Sequence, residues 1–570
     1  MCMARITCAP RLPVQYRCYV VFVPAYIKKN NSIQSVRGGW AMEFSVRFLG
    51  FLQTLLRYLA APLYFLWSLQ DVKILPPIGD PILLQSASTI AKKIRKRLIK
   101  SEDVVAAYIK RIKEVNPYLN AVVEDRFADA LQDAREVDNI ISSTKETEEQ
   151  LEKETPLLGV PFTVKESCGL KGLSQCVGSI PRIGIKSDKD GETVKLLRKA
   201  GAIPLLVSNT PEFCLGWETN NLVTGRTLNP YNSQKTCGGS SGGEGALIGS
   251  GASVIGVGSD VAGSIRVPAM YNGIFGHKPT PGYVSIDGHF PYATDANFHE
   301  YLAIGPIARY AEDLKCMLSV MAGEKASKLK LSEKVDLHSL KVYYMTDAGK
   351  SFVLLPVDQE IKKTVSTAAK HLNRKYGIPA KEVVIEEMGD SAETSISVFF
   401  GLQGIPNALE DPQNPKESHN LFLELLKAIF GASKYSLSLL LFYLLQVTNV
   451  FIPKWRYNYY CGESKKLKKK FMDILGDNSV FLYPTHPTAA YYHNQVFFKT
   501  AGVMYTMLFN VLGLPSTHVP LGLNKEGMPI GIQVVAAPHQ DRLCLAVAEA
   551  LEKDFGGWIP PPAMSTQTTF

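Results

Sequence analysis

The sequence contains no cysteine pair. Its ten cysteines all stand singly, without a CxxC, in a chain of 570 residues. That spacing excludes zinc ribbons, thioredoxin-type redox centres and a disulfide-stapled scaffold. Phosphate cradles are absent too. A P-loop needs a glycine where Tyr344 stands, ahead of Gly349-Lys350-Ser351, and the pair Gly256 and Gly258 meets Val261 where a dinucleotide fingerprint needs its third glycine. There is no internal repeat, and nothing calls for a metal or an organic cofactor. Charge of one sign is scarce as well. The formal excess is +9, much of it in KKIRKR (Lys92 to Arg97) and KKLKKK (Lys465 to Lys470). No aromatic-rich module accompanies either run, so they read as solvated helix faces and no nucleic-acid partner is expected. With 46% apolar and 20% charged residues the composition is globular, not disordered.

Apolar sequence is abundant at two places. After an extension of weak pattern (residues 1–43) comes FSVRFLGFLQTLLRYLAAPLYFLWSLQ, Phe44 to Gln70. Its core from Phe48 to Leu69 is long enough to span a bilayer. Gln53, Arg57 and Pro62 interrupt it, so it reads as a membrane anchor that either spans or lies in the interface. Met42 directly before it looks like a natural start. Lys28, Lys29, Arg37 and Arg47 precede the run, which puts the N-terminus on the cytosolic side. The second apolar stretch covers 421–452 and is broken by Glu424, Lys427, Gly431 and Lys434. It reads as an insert that contacts a membrane, either as a second span or as a hydrophobic hairpin, or else as a buried helix pair.

Between these features the pattern alternates. LLGVPFTVKES (Leu157 to Ser167) reads as a buried strand running into a loop. TVKLLRKAGAIPLLVSN (Thr193 to Asn209) reads as helix, glycine turn and strand. GGEGALIGSGA is a small-residue helix, SVIGVGSD a strand, and VAGSIRVPA a turn away from its carboxyl end. The alternation predicts an α/β fold, in which ligands sit at strand ends.

The glycine-rich stretch KTCGGSSGGEGALIGSGASVIGVGSDVAGSIRVPA begins at Lys235. Gly238-Gly239-Ser240-Ser241-Gly242 satisfies the GxSxG elbow of serine hydrolases, which would make Ser240 the nucleophile and require a histidine such as His486, His518 or His539. KTCGG, however, is a poor buried strand for such an elbow. A serine activated by a neutral lysine is the other option, and Lys165 stands at the end of an apolar strand, where burial disfavours the charged amine.

VPFTVKES, GGSSGGEGALIGSGASVIGVGSDVAGSIRVPAMYNGIFGHKPT and GLPSTHVPLGLNKEGMPIGIQVVAAP together resemble the amidase-signature family, over roughly residues 85–560. The resemblance implies a single α/β catalytic domain with a large twisted mixed β-sheet core surrounded by helices, no cofactor, and a homodimer. The two apolar segments and the GGSSGGEGALIGSG wording look most like the branch that hydrolyses fatty-acid amides. FLYPTHPT, FGHKPTPG and LEKDFGGW look like the second type within it. By motif, Lys165 matches the catalytic lysine, Ser240 the bridging serine after a cis peptide, and Ser264 the acyl-forming nucleophile. The N–H groups of Val261, Ala262, Gly263 and Ser264 match the oxyanion hole, and Cys214 and Leu215 the acyl pocket. Asp260 and Arg266 are expected to brace the nucleophile loop, and Ser241 to cap the following helix. One letter departs from the family: Ala262 stands where glycine is usual, at a cost of order 1–2 kcal/mol if that position needs a positive φ. The resemblance thus implies an endomembrane-bound hydrolase of long-chain fatty-acid amides. An amidase of small or peptide amides, and a lipid-binding protein without turnover, are the alternatives.

Overall fold

The computed structural model describes residues 71–564 except 296, 352, 411–418 and 449–455, together with eight positions between 51 and 64. The extension 1–43 and most of the anchor 44–70 lie outside the described residues. Among the described residues no helix is long and apolar enough to cross a membrane.

Among the described residues eleven strands form one mixed sheet. In chain order they are β1 (Val122–Asp125), β2 (Pro161–Lys165), β3 (Ile203–Ser208), β4 (Ile255–Asp260), β5 (Phe275–Lys278), β6 (Ala303–Ala308), β7 (Lys341–Tyr344), β8 (Ala380–Glu382), β9 (Ser479–Pro484), β10 (Ser516–Leu523) and β11 (Pro529–Ala536). Across the sheet the order is β1-β3-β2-β4-β6-β5-β10-β11-β9-β7-β8. β2 runs parallel to both its neighbours, β3 and β4, with Thr163 opposite Gly256 and Val164 opposite Val257. Strands buried on both faces lose the alternation of a half-exposed strand. PFTVK, IPLLVS and IGVGSD are accordingly buried at every residue.

Seven helices matter for the site: α1 (Ser101–Leu119), α2 (Gly242–Gly249), α3 (Arg266–Tyr271), α4 (Ser391–Phe400), α5 (Leu421–Ile429), α6 (Leu437–Thr448) and α7 (Met504–Val511). α1 begins with Glu102 and Asp103 in its first turn, where acids suit the helix dipole. α2 is buried along its whole length, and its small residues let it lie directly on the sheet. A Cβ at Gly256 of β4 would stand 1.8 Å from Glu244 Oε2 of α2, so glycine is required for that approach.

The described part of the second apolar stretch, 421–448, forms two short helices and no helix of spanning length. α5 and α6 are short helices that pack on each other, with Gly431 in the connection at a φ of +68°. Their inner side buries Leu421, Tyr435, Leu439 and Leu440 against Phe213. Their outer side leaves Phe422, Ile429 and Phe430 at least two-thirds exposed. The lysine run 465–470 lies on the helix Tyr457–Leu475, where Leu467 and Phe471 face inward and Lys466 and Lys470 pair with Glu463 and Glu387. It is a solvated helix face.

Candidate active site

Lys165 ends β2 and is fully buried. Its Nζ lies 2.7 Å from Ser240 Oγ and 2.9 Å from Ser259 Oγ, so both of these partners are hydroxyls. Ser240 follows a cis peptide bond with Gly239 and precedes α2. Ser241 occupies the N-cap of α2, but its hydroxyl makes no cap; it donates to the carbonyl of Ser259 at 3.4 Å. The Ser241 N–H donates to the carbonyl of Ser264 at 3.2 Å, which joins the serine pair to the loop between β4 and α3.

That loop, 261–265, is fixed from below by a buried ion pair. Arg266 grips Asp260 with two hydrogen bonds of 3.0 Å, and Asn510 and Gln533 occupy its other donors. Burial pushes the Asp260 carboxyl up, but Arg266 and the loop N–H groups outweigh it and hold the acid well below the carboxylate range. Asp260 also accepts from the N–H of Gly263 at 2.7 Å and of Ile265 at 3.1 Å. One of the four N–H groups assigned to the oxyanion hole is therefore held by Asp260. Ala262 lies outside the left-handed region; the positive φ, +105°, belongs to Gly263. The departure from glycine at 262 thus carries no backbone penalty.

Ser264, Val261 and Ala262 line a cavity with about 220 Å³ open to the centre of a water molecule. Its walls are mostly apolar: Cys214, Leu215 and Trp217 on one side, Ile396 and Phe399 of α4, Leu441 and Phe442 of α6, and Met504 and Met507 of α7. Phe213 and Cys214 adopt positive φ values of +52° and +59°, an unusual backbone for residues with a Cβ that shapes this wall. Cys214 and Leu215 thus stand in the same cavity as Ser264. The GxSxG elbow finds no support. Among the described residues no strand leads into Ser240, and the histidines it would need are engaged elsewhere: His486 with Tyr271, His518 with Thr485, and His539 against the Tyr283 ring.

Two residues of this centre escaped sequence reasoning, Ser259 and His289. His289 Nε2 lies 2.9 Å from Ser259 Oγ. Complete burial is the main cause that lowers its pKa to about 3, so the ring is neutral. Ser259 is only one strand-residue from the recognised Asp260, whereas His289 comes from a distant loop.

A family model described as Amidase matches residues 103–545. The chain is 43% identical to human fatty-acid amide hydrolase 2 over 489 residues, covering 85% of this chain and 92% of that protein. It is 42% identical to fatty-acid amide hydrolase 2-B of Danio rerio, covering 86% and 93%. Among solved structures, one of a fatty acid amide hydrolase superposes with a TM-score of 0.65 at 23% identity, covering 84% of this chain and 86% of that one. A bacterial aryl acylamidase does so with a TM-score of 0.65 at 22% identity, covering 83% and 97%. At those identities the structures speak for the fold alone. The family model and the curated relatives, joined to a mixed sheet of this topology, make the chain a member of the amidase family and an amidase.

Proposed function

We propose that this amidase hydrolyses long-chain fatty-acid amides at a membrane surface, through a Ser-Ser-Lys triad. The observation that carries the reading is the meeting of two features: the 2.7 Å Lys165–Ser240 contact, and Ser264 in the wall of a largely apolar cavity. Neutral Lys165 takes the proton of Ser240, which takes that of Ser264, and Ser264 Oγ attacks the amide carbon. The N–H groups of Val261, Ala262 and Ser264 receive the developing oxyanion, a contribution of several kcal/mol in such sites. With Gly263 N–H directed to Asp260, the hole has three donors instead of four. The proton returns through Ser240 to the leaving nitrogen, without which the amine is a very poor leaving group. Water then releases the fatty acid from the acyl-enzyme.

The cavity wall supplied by α6 suits an acyl chain, since burying each CH₂ is worth about 0.8 kcal/mol. The exposed apolar side of α5 suits a lipid surface, where a substrate of this kind resides. The relatives named fatty-acid amide hydrolase favour the same substrate class. The ordinary backbone of Ala262 removes the motive for reading the chain as a lipid binder without turnover. The test is labelling with a fluorophosphonate and hydrolysis of oleamide. Ser264→Ala is expected to abolish labelling and Lys165→Ala most of the hydrolysis. Labelling that survives Ser264→Ala, or acetamide cleaved faster than oleamide, overturns the reading.

A further inference from the structure

His289 sits in a loop that the sequence marks only as GHFP, yet the fold fastens this loop to the end of β2. Phe290 N–H donates to Ser167 O at 2.8 Å and Gly169 N–H to Gly288 O at 3.0 Å. Arg182 lies over the Phe290 ring, 3.6 Å from its centre. The imidazole is thereby held beside the lysine centre, buried, with both ring nitrogens engaged. Nδ1 lies 2.8 Å from the carbonyl of Pro291, and Nε2 lies 2.9 Å from Ser259 Oγ.

The partners fix the direction of every hydrogen bond in this chain. A carbonyl only accepts, so Nδ1 carries the proton. In a neutral ring Nε2 is then an acceptor. Ser259 has one proton to give, and it goes to His289. Ser259 is left as an acceptor toward its other neighbours, Lys165 Nζ at 2.9 Å and Ser167 Oγ at 3.4 Å. A neutral amine has two N–H donors and one lone pair. Ser259, unable to donate to Lys165, takes one of the N–H groups, and the lone pair remains for the proton of Ser240.

We propose that His289 is a positioning residue for the proton relay: by accepting from Ser259 it forces Ser259 to accept from Lys165, and so keeps the lysine lone pair on Ser240. The inference rests on the triad reading given above. Without His289 the Ser259 hydroxyl is free to donate to Lys165 and compete with Ser240 for the lone pair. The loss falls on the chemical step, not on substrate binding, because His289 does not line the acyl cavity.

The experiment is a double-mutant cycle on the full chain with oleamide, using His289→Leu, His289→Gln and Ser259→Ala. His289→Leu is expected to lower kcat between about ten- and hundredfold, the range of a modest misplacement in an active site, with KM within threefold. His289→Gln offers Oε1 as acceptor and is expected to restore most of that loss. In the Ser259→Ala background, His289→Leu is expected to cost nothing further, since the donor it controls is gone. Wild-type kcat in His289→Leu, no rescue by Gln, or equal losses in both Ser259 backgrounds overturns the proposal. If His289→Leu does not fold, His289→Ala takes its place in the cycle with the same loss of kcat expected, and a loss of equal size in the Ser259→Ala background overturns the proposal. Failure of the triad reading is distinguishable, because it shows as labelling in Ser264→Ala or as a full rate in Lys165→Ala.

Discussion

Replacing Gly263 by alanine tests how tightly the loop that carries Ser264 is built. Gly263 has a φ of +105°, and a Cβ there would stand 2.1 Å from Thr506 Oγ1 and 2.8 Å from Thr506 Cβ. Thr506 cannot swing aside freely. It is buried in α7, and its hydroxyl shares its one proton between Val503 O at 2.8 Å and Ala262 O at 3.2 Å. The backbone conformation costs an L-residue about 1–2 kcal/mol, and forcing a methyl into a filled site about 1–3 kcal/mol, giving roughly 2–5 kcal/mol. If the loop stays in place, that energy leaves stability and the melting temperature drops. If the loop shifts to relieve it, Ser264 next door moves, and a barrier raised by about 3 kcal/mol lowers kcat about hundredfold. Ala262→Gly is the control: it removes one methyl from a cluster with Val503, Met504 and Met507, worth about 1 kcal/mol, and is expected to leave kcat within threefold. Oleamide kinetics and thermal melting of both variants supply the measurement. Wild-type kcat and melting in Gly263→Ala would refute the packing argument. A tenfold gain in Ala262→Gly would refute the unstrained backbone at 262.

Two further outcomes follow from the surroundings of the site. Burial pushes the Glu244 carboxyl up to about 7, only partly offset by hydrogen bonds from the hydroxyls of Ser208 and Thr163. The folded state then holds a proton between pH 4.5 and 7 that the unfolded chain releases, so this group's contribution to stability is greatest below pH 4.5, falls as pH rises through 7, and is flat beyond. Unfolding free energies from urea titrations at pH 5 and 8 are expected to differ by roughly 2.5 kcal/mol more in the native chain than in Glu244→Gln; identical pH slopes would refute the shift. In the cavity beside Ser264, the proposed acyl site, Leu441→Asp puts a charge in an apolar wall. It is expected to raise the oleamide KM about tenfold or more while short-chain fluorophosphonate labelling of Ser264 keeps its rate; an unchanged KM removes α6 from the acyl path.

The fold was legible wherever local pattern and burial agree. The strands PFTVK, IPLLVS and IGVGSD are mostly apolar, end in a polar residue and run into turns, and all three lie side by side in the sheet. The helix-turn-strand of 193–209 likewise matches its reading, with Gly201 at a φ of +90° between helix and strand. The stretch 421–452 was harder, because an apolar helix exposed to lipid and one buried in protein carry the same composition. Only the break near Gly431 and the burial of Tyr435, Leu439 and Leu440 against Phe213 separate them. The result is both at once: one side closes the cavity and the other faces outward.

The site divides along the same line. Lys165, Ser240 and Ser264, the proposed triad, stand in motifs, so their numbers were available before any geometry. Ala262 shows the limit of that reading. A substitution judged against a glycine motif looks costly, but cost depends on φ, and the chain places its positive φ one residue later. Ser259 and His289 show a deeper limit. A serine in a glycine-rich strand and a histidine in a loop are ordinary when apart. Their meaning lies in a direction of hydrogen bonding that exists only when Pro291 O, His289, Ser259 and Lys165 line up, each within 2.9 Å of the next. A sequence motif names the atoms that exchange a proton. Which way the proton is free to move is set by the acceptor at the far end of the chain, here a backbone carbonyl, and a carbonyl is present at every residue. That is why no residue type marks the end of such a relay, and why the orientation of a catalytic lysine must be read from its neighbours' neighbours.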